Sequence, residues 1–279
     1  MKVAQKLAVN YLRARLNLLA VLSPRKAAEQ AFTIFCTPFY RNKKKAAPIF
    51  DDAEKITLQV KGNTVRGYRW NAGGSRRVLV LHGFESSVKN FDAYIIALIK
   101  KGYEVLAFDA PAHGDSGGRQ ITLPLYVDTI AAIHFQVGII QSFMAHSFGG
   151  LALAHFIEKI PNAGCRVAFI APATESRSAI DSFFRFLQLN HKVRSAFEKI
   201  IADKSGVPAE YFSIPRALEN IAAEVLWVHD KDDEVTPFKD VAPVMEKQLP
   251  NLHFLITEGL GHKKIYRDAL VIKKVVEFL

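Results

Sequence analysis

The chain has 279 residues, 49% of them hydrophobic, which is enough to bury a full core. Its formal charge of +10 would point to a polyanionic partner if it were spread evenly. Instead, residues 1–45 hold ten Lys or Arg against the one acid Glu29, a net +9 that leaves about +1 for the rest, so no nucleic-acid partner is expected.

The first predicted element is an amphipathic helix. Val3, Ala4, Leu7, Ala8, Tyr11, Leu12 and Leu19 fall on one face, and Lys2, Lys6, Asn10, Arg13 and Asn17 on the other. Arg15 interrupts the apolar side. Ser23-Pro24 reads as the N-cap and first position of a second helix running to about Phe35, followed by Pro38 and the run Arg41-Asn42-Lys43-Lys44-Lys45. Two arrangements suit these helices. They can pack on the body of the protein with the lysine run as a solvated linker, which is the expectation, or lie as a peripheral contact on an anionic membrane. Arg13, Arg15 and Asn17 keep the first apolar stretch short of a span, and no small-residue cleavage site follows Leu18–Leu22. Cys36 and Cys165 form no disulfide framework and are expected to be reduced thiols. The expected location is cytoplasmic, or peripheral at the inner membrane surface.

Further along, apolar runs end repeatedly in chemically distinctive turns. Val78–Leu81 reads as a strand ending in His82-Gly83-Phe84-Glu85, and Phe108 leads into Asp109-Ala110-Pro111-Ala112-His113-Gly114-Asp115-Ser116. A third run ends in Ala145-His146-Ser147-Phe148-Gly149-Gly150. A serine hydroxyl is a weak nucleophile that must project from a sharp strand-to-helix turn toward a base, and only small flanking residues fit such a turn. The motif is A-x-S-x-G, with Ala145 where glycine is commonest. Arg166–Ile170 reads as the next strand. Residues 173–221 carry two helical patterns, within 178–189 and 193–202, rich in Phe183, Phe184, Phe186 and Phe197. Val225–His229 then runs into Asp230-Lys231-Asp232-Asp233-Glu234-Val235-Thr236-Pro237, and His253–Thr257 into Glu258-Gly259-Leu260-Gly261-His262. A nucleophile, an acid and a base thus follow in the order Ser, Asp, His, each at the carboxyl end of a strand, where ligands bind in open parallel sheets. No histidine has metal-ligand spacing, and no P-loop or dinucleotide fingerprint is visible, so neither metal nor cofactor is expected.

On His82-Gly83, Asp109 to Ser116, the elbow at Ser147, Asp233 to Pro237 and Gly261-His262, residues 55–279 resemble the α/β-hydrolase superfamily, in its serine-nucleophile, esterase- and lipase-like branch. The resemblance implies an α/β fold with a mostly parallel twisted sheet of about eight strands and helices on both faces. It implies an N-terminal extension over 1–50 and a catalytic domain over 51–279, with a small helical lid at about 173–221. The implied triad is Ser147, His262 and an acid. The acid usually stands four residues before a proline, which selects Asp233 over Asp232. The oxyanion hole falls to the backbone N–H groups of Phe84 and Phe148. The loop from Asp109 to Ser116 resembles a structural turn and takes no catalytic role. The expected activity is hydrolysis of carboxylic esters through an acyl-enzyme, on a small substrate whose apolar acyl or alkyl group the lid aromatics would suit. The alternatives are an amide, thioester or carbon–carbon hydrolase with the same triad, and a silent binding or membrane-associated module.

Overall fold

The computed structural model describes residues 3–42 and 44–279. Lys2 and Lys43, and the side chains of Val3, Ala4 and Lys6, lie outside the described residues. In chain order the elements are α1 (Val3–Leu22), α2 (Pro24–Phe35), β1 (Glu54–Val60), β2 (Asn63–Trp70), β3 (Arg77–Leu81), α3 (Asp92–Lys100) and β4 (Glu104–Phe108). Next come α4 (Leu123–Val137), β5 (Ser142–His146), α5 (Phe148–Ile157), β6 (Arg166–Ile170), α6 (Ser176–Leu187) and α7 (His191–Ser205). The chain ends with α8 (Ile214–Ala217), β7 (Glu224–Asp230), α9 (Ala242–Glu246), β8 (Leu252–Thr257), α10 (Gly261–Lys264) and α11 (Ala269–Phe278).

The eight strands form one sheet in the order β1-β2-β4-β3-β5-β6-β7-β8. The first three in that order pair antiparallel, and all later pairs are parallel. Lys61 and Gly62, both at positive φ, make the two-residue turn of the β1–β2 hairpin. Parallel strands are covered on both faces, and the sequence alternates accordingly. Leu79, Leu81, Phe143, Ala145, Phe169 and Trp227 face one core, shared with α4 and α5. Val78, Val80, Met144, Ala168, Ile170 and Val228 face the other, shared with α3 and α11. From β3 the chain moves outward to β4, whereas from β5 it moves the opposite way to β6. The carboxyl ends of β3 and β5 therefore flank a topological switch point, the usual place for a ligand crevice.

The chain divides into two compact units. The sheet body comprises Pro38–Thr174 and Ile214–Leu279, and a helical unit combines the residues up to Thr37 with Glu175–Ser213. These bounds differ from a division at residue 50 with the insert counted in the catalytic domain, for two reasons. Phe50 packs edge-on against Tyr68 and Trp70, and the Trp70 indole N–H donates to Ile49 O at 2.7 Å, so the segment after Pro38 belongs to the sheet body. On the other side, Ala27, Ala28 and Ala31 give α2 a narrow buried face that α7 approaches closely, and Phe184, Val193 and Phe197 complete one shared core. Ser23 accepts from Lys26 N and Pro24 opens α2, as the sequence indicates. The insert aromatics Phe183, Phe184 and Phe197 pack with Phe32 and Phe35 inside this unit. They fill a core there, the ordinary fate of large aromatics.

Candidate active site

Ser147 sits between the last residue of β5 and the first of α5. Its backbone, at φ 55° and ψ −124°, lies in a region that L-residues rarely adopt. Backbone hydrogen bonds hold it there. Ser147 N donates to Ile170 O at 3.2 Å, and Ser147 O accepts from Gly150 N at 2.9 Å and Ala173 N at 3.0 Å. The following glycines are required by space. A Cβ at Gly149 would stand 2.6 Å from His82 O, and one at Gly150 would stand 2.7 Å from Pro172 Cβ. Ala145 is fully buried in the core beneath the turn, so its methyl is accommodated.

The loops after β7 and β8 bring the acid and base to this serine. His262 Nε2 lies 2.9 Å from Ser147 Oγ, and His262 Nδ1 lies 2.8 Å from Asp233 Oδ2. Asp233 is buried, and its carboxylate also accepts from Val235 N and Thr236 N at Oδ1, each at 2.8 Å, and from Thr236 Oγ1 at Oδ2 at 2.8 Å. Burial pushes its pKa up, but the hydrogen bond and charge of His262, with the amide and hydroxyl of Thr236, outweigh burial and hold it below the ordinary carboxylate value. An ionised carboxylate accepts from Nδ1–H, which leaves Nε2 as the free base toward Ser147.

The neighbouring aspartates are separated by geometry. Asp232 is exposed and accepts from Gly259 N at 2.9 Å, a turn contact away from the imidazole. Asp230 is buried and accepts from Thr257 Oγ1 at 2.6 Å, Leu260 N at 3.1 Å and Asp232 N at 3.0 Å. It ties the β7 turn to the loop that carries His262. Burial pushes the Asp230 pKa up, but these donors prevail and lower it.

The third wall is the loop after β3. A Cβ at Gly83 would stand 2.8 Å from Ser147 Cβ, so this backbone runs directly against the nucleophile. Histidines hold it. His82 Nδ1–H donates to Gly83 O at 2.8 Å while its Nε2 accepts from Ala110 N at 2.9 Å. His113 Nδ1–H donates to Pro111 O at 2.9 Å while its Nε2 accepts from Glu85 N at 3.0 Å. Both rings are neutral clamps, and burial lowers their pKa values to about 4 and about 3. Among the described residues, the N–H groups of Phe84 and Phe148 have no acceptor, and Phe148 is the first residue of α5, whose N–H has none within the helix. Their rings meet edge-on at 6.1 Å. In the loop from Asp109 to Ser116, the buried Asp109 carboxylate accepts from Val88 N and Asp115 N, a structural tie.

Two contributors are not apparent from motif spacing, Thr236 and His146, and the close approach of Gly83 to Ser147 is visible only in the fold. Thr236 Oγ1 also lies 3.2 Å from His262 Nδ1. The buried His146 ring packs on His262 at 4.8 Å, its Nε2 lies 3.2 Å from His262 O, and burial lowers its pKa to about 3. Only the proximity of Thr236 to the D-x-x-x-P proline and of His146 to the elbow hints at these roles in sequence. A cavity of about 590 Å³ opens elsewhere on the sheet body, between Tyr40, Lys44, Asp92 and Arg267, and none of Ser147, Asp233 and His262 lines it. Among the described residues there is no cluster of metal-ligating side chains.

The family model described as serine aminopeptidase, S33 matches residues 74–231. A bifunctional esterase/perhydrolase of Acinetobacter calcoaceticus is 23% identical over 254 residues, covering 74% of this chain and 91% of that protein. Among solved structures, an esterase of Pyrococcus furiosus superposes with a TM-score of 0.66 at 20% identity, over 88% of this chain and 96% of its own. A protein of Thermoplasma acidophilum described as a predicted CIB-like hydrolase superposes with a TM-score of 0.59 at 17% identity, over 81% of this chain and 97% of its own. The two structures share the fold.

Proposed function

The chain belongs to the serine aminopeptidase S33 family of α/β-hydrolases and is a hydrolase; we propose that it cleaves carboxylic esters through Ser147, His262 and Asp233. The observation that carries this reading is the continuous relay from Ser147 Oγ through His262 to Asp233, at 2.9 and 2.8 Å. His262 Nε2 takes the proton of Ser147 as Oγ attacks the ester carbonyl. Asp233 holds the Nδ1–H tautomer and stabilises the imidazolium. The negative charge on the carbonyl oxygen is met by the N–H groups of Phe84 and Phe148, which have no other acceptor to give up. Collapse of the intermediate expels the alcohol, protonated by His262, and leaves the acyl group on Ser147. Water, deprotonated by His262, then attacks the acyl carbon, and a second collapse releases the acid and restores the serine.

The preference for an apolar acyl or alkyl group rests on the rings of Phe84 and Phe148, which meet edge-on and belong to the two residues whose amides would receive the oxyanion. Hydrolysis of p-nitrophenyl esters from acetate to laurate, by wild type and Ser147→Ala in parallel, tests the reading. Turnover that vanishes in the variant, with an acyl adduct on Ser147 by intact mass, supports it, and the chain-length optimum sizes the pocket. Absence of both turnover and adduct would overturn it. The family description favours a second reading, an amide or peptide hydrolase with the same residues. Aminoacyl p-nitroanilides and acyl thioesters belong in the same panel, and higher kcat/KM on either would displace the ester reading.

A further inference from the structure

We propose that α1 docks the protein on an anionic lipid surface. The proposal is independent of the reaction at Ser147. The sequence places Leu7, Ala8, Tyr11, Leu12 and Leu19 on one apolar face, but in the structure α1 is apolar on two sides. One side buries Leu16 and Ala20. The other carries Leu7, Tyr11, Leu18, Val21 and Leu22 at 65, 69, 68, 82 and 78% exposure. At 100° per residue these five fall within an arc of about 100°, joined by the exposed Ala14, and they extend about 22 Å along the axis. Scattered exposed leucines are ordinary, but five large apolar side chains in one continuous stripe are not.

Charge selects the occupant. The helical unit carries twelve Lys or Arg against six Asp or Glu, and its first 28 residues contain no acid at all. Arg15 is exposed at the edge of the stripe. An apolar stripe edged by Arg15, on a segment that carries cations and no acid, fits the boundary between anionic headgroups and acyl chains. A second copy fits poorly, because a symmetric contact through α1 would bring two acid-free, cationic segments together. No helix among the described residues is long and apolar enough to cross a membrane, so α1 would lie in the surface plane.

Vesicle flotation of the full chain tests this, with phosphatidylcholine vesicles containing one third phosphatidylglycerol against pure phosphatidylcholine. The expected partition is about tenfold or more stronger onto the anionic vesicles, weakened by high salt, and about tenfold lower for a Leu18→Gln/Leu22→Gln double variant. Those side chains already face water, so the variant should keep the wild-type melting temperature. Equal partition of wild type and variant, or no binding to either vesicle, would overturn the proposal. A wild-type dimer in analytical ultracentrifugation that the variant abolishes would also overturn it, in favour of self-association.

Discussion

Every residue of β4 and β5 in the sheet body is buried, whereas α1 of the helical unit buries Leu16 and Ala20 and leaves five large apolar side chains in water. The difference follows from what each backbone needs. A central strand must be hydrogen-bonded on both edges, and helices cover both its faces, so each apolar residue finds a partner. A helix satisfies its own backbone, and only the faces that neighbours reach are covered. In the central strands of the sheet body, apolar therefore means packed. In α1, apolar on the outer side marks a surface that folding did not use.

The largest effect expected within the sheet body is at the acid. Asp233→Asn should lower kcat about 10⁴-fold by favouring the wrong imidazole tautomer, while Asp232→Asn, on the exposed turn, should change it less than twofold. Ester hydrolysis by the two variants checks this, and a larger loss at Asp232 would reassign the relay. Gly83→Ala comes next. Its methyl would meet Ser147 Cβ at 2.8 Å and push the Phe84 amide out of place, so kcat should fall about 10²- to 10³-fold with little change in KM.

The comparison sharpens inside α1 itself. Leu16→Ala should cost about 2–5 kcal/mol of stability and Leu18→Ala less than about 0.5, read from urea midpoints. Similar costs at both positions would mean the outer stripe is covered after all.

The remaining effect is an acid slope that arises in the sheet body. His82, His113 and His146 are held neutral by burial, with pKa values lowered to about 4, about 3 and about 3. Below the ordinary histidine value near 6.5 the unfolded chain binds protons that the folded one does not, so stability falls as pH drops from there toward 4. Each ring contributes a slope of about 1.4 kcal/mol per pH unit across that window. His113→Gln should flatten the measured slope by one such increment, and an unchanged slope would show that the ring is protonated in the folded protein.

Much of the site is legible because its parts are local. A strand, a turn of small residues and a helix place Ser147 through neighbours at Ala145, Gly149 and Gly150, and the Ser, Asp, His order follows the strand ends. The choice among Asp230, Asp232 and Asp233 is different. All three stand within one turn, and which carboxylate meets His262 depends on how the β7 and β8 loops cross. The roles of Thr236 and His146, and the contact that requires glycine at position 83, are hidden for the same reason, since they are distances to residues far along the chain.

By itself the sequence determined the strand pattern, the α/β architecture and the identity of the candidate nucleophile and base, because periodicity and turn chemistry act over a few residues. Tertiary structure set the distance at which Asp233, already favoured by its spacing to Pro237, meets the imidazole, and it alone decided that the insert shares a core with the N-terminal helices and which side of α1 stays open. Those outcomes depend on packing between segments distant in the chain, and a helix that is apolar on two sides does not disclose which side its neighbours will cover.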